Sequence, residues 1–180
     1  PYKIETTKGH HSFDYVIDCR GLEAKKDLGS LRGVRGEVIK VQAQGIKISR
    51  PVRLMHPRYQ IYVVPRPMDS YLIGATTIES EDLSPVSVRS ALELLSAFYS
   101  LNSSFSEARI LEMNVQCRPA FTSNNPKIIF NKEGGLIRVN GLYRHGYLTS
   151  PKLAEILLNR MNDTSGSNSS FSECCYWEDL

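Results

Sequence analysis

The stretch from Leu136 to Pro151 constrains this chain more than any other. An apolar strand, Leu136-Ile137-Arg138-Val139-Asn140, runs through Gly141-Leu142-Tyr143-Arg144-His145-Gly146 and then Tyr147-Leu148-Thr149 into a helix predicted to open at Ser150 and Pro151. Ser as N-cap and Pro at the first helical position are the usual start signals. A turn from strand to helix aims backbone N–H groups and the positive end of the helix at whatever lies above it, most often an anion. Arg144, in the middle of the turn, adds a rigid and permanently charged fork suited to a carboxylate or phosphate. By itself the segment is equally well a purely structural turn.

The remaining pattern is strand-rich. Tyr2–Thr7 alternates, Lys8–His11 reads as a turn, and Phe13–Cys19 reads as a strand ending at Arg20-Gly21. The glycines at 29, 33 and 36 make Asp27–Arg35 a loop, and Glu37–Gln44 is a β-branched strand, with Ile46–Ile48 a possible short one. Gln60–Pro65 and Ser70–Thr77 form a hairpin across Arg66-Pro67-Met68-Asp69. Ser84-Pro85 predicts the start of a helix whose Val88, Ala91, Leu92, Leu95, Phe98 and Tyr99 make a core-facing stripe. Glu107–Val115 is a further strand, Lys127–Phe130 and Leu136–Val139 pair as a hairpin, and Pro151–Met161 is the last helix. Beyond Asn162 the chain turns to low-complexity Ser, Gly and Asn, and the closing Phe171–Leu180 shows no periodicity. The expected class is α+β.

Composition narrows the function. A hydrophobic content of 41%, 23% charged residues and a net charge of +3 are those of an ordinary soluble globular protein. The charge is too slight and too scattered for a nucleic-acid partner, and no apolar run is long enough for a membrane span. Cys19, Cys117, Cys174 and Cys175 lack zinc spacing and a disulfide framework, and His10, His11, His56 and His145 add no ligand pattern. No metal is expected, and a reducing, cytoplasmic setting is the default. The start at Pro1, inside a strand and without a leader, suggests a fragment.

Chemistry has few candidates. Arg118 lies in Cys117-Arg118-Pro119 after a predicted strand, and Arg35 lies between Gly33 and Gly36, where backbone could approach a ligand. Each, alone, is ordinarily a solvated or ion-paired arginine, and Tyr62 on its strand is ordinarily a packed core tyrosine. No catalytic triad, paired catalytic carboxylates or phosphate-binding glycine loop can be assembled, so no catalytic residue is assigned. Any demanding chemistry would belong to a cofactor whose dinucleotide fingerprint is not in this sequence.

Taken in order, several segments resemble the glycine-oxidase family of the D-amino-acid oxidase superfamily, the FAD enzymes of thiamine (thiazole) biosynthesis. These are Val16-Ile17-Asp18-Cys19-Arg20-Gly21-Leu22, Leu31–Glu37, Tyr62-Val63-Val64-Pro65-Arg66, Leu72–Thr76, Arg118-Pro119-Ala120-Phe121 with Pro126, and Gly141–Gly146. The resemblance implies an antiparallel-sheet substrate domain with the C-terminal part of an FAD/NAD(P)-binding α/β domain. Residues 1–36 and 113–162 would be pieces of the FAD domain, 37–112 the substrate domain, and 163–180 a disordered or atypical tail.

It further implies that Arg118 pairs with a substrate carboxylate, that Tyr62 donates to the same group, and that Arg144 stands at the flavin edge and substrate. Gly21, His145 and the Gly146-Tyr147-Leu148 backbone would contact FAD. The implied reaction oxidises glycine or another small amine to the imine, with O2 reduced to hydrogen peroxide, and homo-oligomers are common in the family. The chain alone, lacking the pyrophosphate-binding part, is expected to be inactive. Thr77, Gln116 and Ser123 depart from the family's methionine, glycine and aspartate at those points. A non-catalytic ligand-binding or assembly module that has lost its nucleotide domain is the alternative.

Overall fold

Alternating patterns become strands over most of the chain. The structure, a computed structural model, describes residues 2–55, 60–131, 135–162 and 176–179. It divides into two compact units, Pro1–Gly33 with Arg118–Leu180, and Val34–Cys117. The fold is α+β, with mixed sheets and two α-helices among the described residues. Among the described residues no helix is long and apolar enough to cross a membrane, which leaves strands aside.

The first unit opens with an exposed antiparallel hairpin, β1 (Tyr2–Thr6) and β2 (Gly9–Phe13). The predicted strand Phe13–Cys19 is thus split: Phe13 ends β2 and Val16–Asp18 forms β3, with Ile17 exposed. The 3-10 turn Gly21–Ala24 follows β3, and its Ala24 packs with Leu28, Leu31, Phe121 and Ile129.

The second unit is a five-stranded sheet in the order β5-β6-β7-β4-β8. Its strands are β4 (Arg32–Gln42), β5 (Val52–Met55), β6 (Gln60–Arg66), β7 (Ser70–Gly74) and β8 (Arg109–Ala120). The hairpin of β6 and β7 forms where it is expected, although β7 ends at Gly74 and not at Thr77, with Met68 and Asp69 both at positive φ in the turn. One face carries Ile39, Val41, Ile61, Val63, Tyr71 and Ile73, which pack with Leu94, Ala97 and Phe98 of helix α1 (Val88–Leu101) and with Phe105. Alternation then puts Tyr62, Val64, Leu72, Val38 and Lys40 on the other face.

Three expectations are corrected here. The glycine-rich segment predicted as a loop up to Arg35 is already β4 from Arg32, because Gly33 and Gly36 adopt extended rather than left-handed backbone. Ile46–Ile48 is not a strand, although Ile46 and Ile48 pack on the core from irregular chain. Helix α1 begins after Ser87, whose hydroxyl accepts from the Ser90 N–H at 3.1 Å, and not at Ser84-Pro85. The Pro85 carbonyl is instead taken by the Arg35 guanidinium, and the Asp82 carboxylate accepts the Ser84 N–H, so that stretch stays outside the helix.

The first unit closes with β9 (Lys127–Phe130) and β10 (Leu136–Asn140), paired antiparallel as predicted, and α2 (Gly146–Asn162). The side chains of Leu153 and Leu157 bury against Ile128 and Ile137. β10 pairs with β3 in parallel, and β11 (Tyr176–Asp179) pairs in parallel with β9, giving the order β11-β9-β10-β3. The closing segment was expected to lack regular structure; the rest of that tail, with Cys174 and Cys175, lies outside the described residues.

Helix α2 starts five residues earlier than Ser150-Pro151 announced, and Pro151 sits inside it. Proline removes one backbone donor, whose acceptor would be the Tyr147 carbonyl one turn back. Tyr147 is fully exposed, so water can satisfy that group. The turn is already closed upstream: the Leu148 and Thr149 N–H groups and the Thr149 hydroxyl all donate to the His145 carbonyl, at 3.0, 2.9 and 2.9 Å.

Candidate functional site at the ends of two parallel strands

β3 and β10 run side by side in the same direction, with Val16 opposite Leu136 and Asp18 opposite Arg138. Their carboxyl ends therefore emerge together, and each leads into a glycine at positive φ, Gly21 at 62° and Gly141 at 77°. Crevices at the carboxyl ends of parallel strands are where open α/β sheets bind ligands.

Asn140 ties the two ends. It is 1% exposed, its Nδ2 donates to the Gly21 carbonyl at 2.8 Å, and its Oδ1 accepts from the Gly141 N–H at 2.8 Å. The sequence reading missed it. An asparagine ending a strand directly before a glycine, able to hydrogen-bond its own backbone, was the available signal.

Gly141 could be nothing else. A Cβ there would stand 2.3 Å from Phe121 Cδ2, and Phe121 is a buried anchor of the unit's core. Past it, the Tyr143 N–H donates to the Pro119 carbonyl at 3.0 Å. The loop carrying Arg144 is thereby fastened to the end of β8 that carries Arg118. Arg118 was expected after a strand; it lies within one, because β8 continues to Ala120. Gly21 joins the same neighbourhood, with Pro119 Cγ 3.9 Å from its Cβ direction.

The first unit thus carries Gly21, Arg118, Arg144, His145, Gly146, Tyr147 and Leu148 on segments tied by the Asn140–Gly21 and Tyr143–Pro119 hydrogen bonds. Arg118 is half-buried, whereas Arg144, His145, Tyr147 and Leu148 are exposed. With α2 starting at Gly146, the N–H groups of Gly146 and Tyr147 belong to the first turn, which has no intrahelical acceptors. Between Gly141 and Pro151 there is no carboxylate. The turn thus offers an arginine, backbone donors and the positive helix end, a set that fits an acceptor-rich or anionic edge.

Beneath it, Asp18 is committed elsewhere. Arg20 grips it with Nε at 2.9 Å and Nη2 at 2.8 Å, and Arg138 Nε stands 3.6 Å away. The bidentate Arg20 bond, opposed by burial, holds the Asp18 carboxyl below its ordinary value, so it stays ionised. Burial, then the Asp18 charge, pushes the Cys19 thiol up, away from nucleophilic use.

Tyr62 belongs to the other unit. It stands opposite Arg53 on β5 and Gly74 on β7, half-buried on the face away from α1. Arg35, the remaining sequence candidate, is the ion-paired arginine it was ordinarily expected to be: it is 5% exposed and bound to Glu37, with no surface to offer a ligand.

A family model for FAD dependent oxidoreductases matches residues 1–160. The chain belongs to that family. Members related to it are enzymes, and FAD is the cofactor for which the family is described. This FAD dependent oxidoreductase chain is 44% identical over 153 residues to a candidate thiamine biosynthesis oxidoreductase, ThiO, of Rhizobium etli (strain CFN 42), covering 85% of this chain and 46% of that one. Among solved structures it is similar to glycine oxidase from Geobacillus kaustophilus, with 25% identity, a TM-score of 0.70, and 87% of this chain and 44% of that one covered. Iminodiacetate oxidase from Chelativorans sp. BNC1 shares the fold at 22% identity and a TM-score of 0.72, over 95% of this chain and 48% of the other. The chain spans about half the length of the relatives it matches.

Proposed function

We propose that this chain is the C-terminal part of a flavin-dependent oxidase that converts glycine or a similarly small amine or amino acid to its imine, in the service of thiamine biosynthesis. Residues 1–36 and 113–162 act as the later pieces of the FAD domain, and residues 37–112 as the substrate domain. The observation that carries this is the juncture of Gly21, Asn140 and Gly141 at the ends of β3 and β10, with the Arg144 loop fastened to Pro119.

Bound FAD would supply the hydride acceptor, and O2 its reoxidant, yielding hydrogen peroxide. The chain's own residues bind and orient. Arg118 takes the substrate carboxylate in a two-point grip, which fixes both distance and plane. The Tyr62 phenol donates to the same carboxylate. Arg144 and the first N–H groups of α2 would hold the pyrimidine end of that cofactor, their fixed donors favouring negative charge there. Gly21 and His145 would line the same cofactor. No strong base is required of the chain, since correct placement in a dry site contributes much of the rate.

The test is to express the complete coding sequence that contains this segment and to compare it with the 180-residue chain. The complete product should be yellow and release peroxide with glycine; the chain alone should be colourless and inactive. A colourless complete product, or one that ignores every small amino acid and amine, overturns the proposal.

A further inference from the structure

Arg35 and Glu37 form a buried pair for which the chemistry above has no use. Their side chains are 5% and 0% exposed, and Arg35 donates to Glu37 Oε1 through Nη2 at 2.7 Å and Nε at 3.1 Å. Burying two charges is costly, and apolar replacements of such pairs are often at least as stable. Stability is therefore a weak reason for the pair, and its contacts point to another. Arg35 reaches the carbonyls of Asp82 and Pro85, holding the segment before α1. Glu37 holds Thr76 three times over. The Thr76 hydroxyl donates to Glu37 Oε2 at 3.0 Å and accepts from the Glu37 N–H at 2.9 Å, and the Thr76 N–H donates to the Glu37 carbonyl at 3.3 Å.

These bonds fall where the sheet changes register. Val38 lies opposite Gly74, and a regular continuation would set Arg35 opposite Thr77; the bridge is to Ile78 instead. One extra residue is taken up on the exit from β7, the mark of a bulge. Thr76 sits in that step, two residues from Gly74, on which the Tyr62 ring lies. A Cβ at Gly74 would meet Tyr62 Oη at 2.6 Å and Val38 Cγ1 at 2.9 Å, so the phenol rests on backbone that the Glu37–Thr76 bonds hold in place.

We infer that the Arg35–Glu37 pair is a positioning device: through Thr76 it fixes the strand step under Tyr62 and so sets the phenol where it can take the substrate carboxylate. This rests on the role proposed for Tyr62. Thr76→Val removes the hydroxyl with little change of shape, and Thr76→Ser keeps it. In the 180-residue chain, Thr76→Val should speed amide exchange at Ile78 and Ser80 by about tenfold, while Val63 and Ile73 exchange as before and Thr76→Ser stays near wild type. In the product of the complete coding sequence, Thr76→Val should raise KM for glycine about tenfold with kcat little changed, and Thr76→Ser should restore it. Tyr62→Phe should raise KM without altering exchange at Ile78 and Ser80. Unchanged exchange in Thr76→Val overturns the positioning device outright. Faster exchange without a KM effect, where Tyr62→Phe does raise KM, overturns it while sparing the role of Tyr62. If Tyr62→Phe leaves KM alone, the role of Tyr62 is lost and the inference falls with it.

Discussion

The Tyr62 phenol lies across Gly74, its strand neighbour, so closely that Gly74 has no room for even one more carbon: a Cβ would stand 2.6 Å from Oη and 2.7 Å from Cζ. Gly74 is not at positive φ, so the demand there is for space and not for backbone freedom. A tyrosine held against a cross-strand glycine keeps its hydroxyl at a defined height over the sheet face away from α1.

Gly74→Ala should therefore displace the phenol. Overfilling a packed site costs about 1–3 kcal/mol. Urea denaturation should show a loss of that size, and Tyr62→Val in the same background should recover most of it. An alanine variant as stable as the parent would mean that the ring does not rest on Gly74.

Gly141→Ala meets two penalties at once. Its φ of 77° costs an L-residue about 1–2 kcal/mol, and the added carbon would run into Phe121 at 2.3 Å. With overpacking of about 1–3 kcal/mol, the total should reach about 2–5 kcal/mol in equilibrium unfolding. Phe121→Leu should relieve only the packing part, leaving the backbone part behind.

Arg35→Ala and Arg144→Ala should behave as opposites. Breaking a buried pair strands Glu37 and should cost about 3–5 kcal/mol. Arg144 is exposed and makes no ion pair with the described residues, so its loss should move stability by less than about 0.5 kcal/mol. Flavin and glycine binding by the complete product should respond to Arg144→Ala all the same. Equal melting losses in the two variants would contradict both assignments.

Acid should weaken the fold through two carboxylates. Burial raises the Glu37 carboxyl, but bonds from Ser90, Arg35 and Thr76 outweigh it and hold it below its ordinary 4.5; Asp18, gripped by Arg20, is held below 3.8. Both bind protons less readily folded than unfolded. Their stabilisation is thus complete above the ordinary values and is lost as pH falls through the lower folded ones. Stability measured against pH should be level above 4.5 on their account and decline below it, and Glu37→Gln should flatten the first part of that decline.

Hairpins were the most legible part of the sequence. Gln60–Arg66 with Ser70–Gly74, and Lys127–Phe130 with Leu136–Asn140, announced themselves because alternation and turn residues are local signals. Both helix starts were misread, and at α1 a distant group decided the outcome. Ser84-Pro85 has the local form of a cap, yet Arg35, far away in sequence, claims the Pro85 carbonyl. Gly146 gives no start signal, yet the His145 carbonyl collects a first turn there. Arg35, ordinarily an ion-paired or solvated arginine, is ion-paired; only the loop suggested by its flanking glycines fails, because Arg32–Gln42 is a strand that buries it. The candidate site was legible as separate motifs in order. What joins them, Asn140, depends on a parallel strand pairing that no local pattern announces.

The Asn140–Gly21 hydrogen bond spans 119 residues of sequence. In an unfolded chain, closing so long a loop is opposed by an entropy that grows with its logarithm, and contacts of this separation form late. Most of the intervening residues form the other compact unit, whose entry strand β4 and exit strand β8 are neighbours in one sheet. The paired glycine turns thus depend for their assembly on the folding of Val34–Cys117, the unit that separates them in sequence. A mutation deep among Ile39, Val63 and Phe98 can delay the joining of the carboxyl ends of β3 and β10 while leaving their finished geometry untouched.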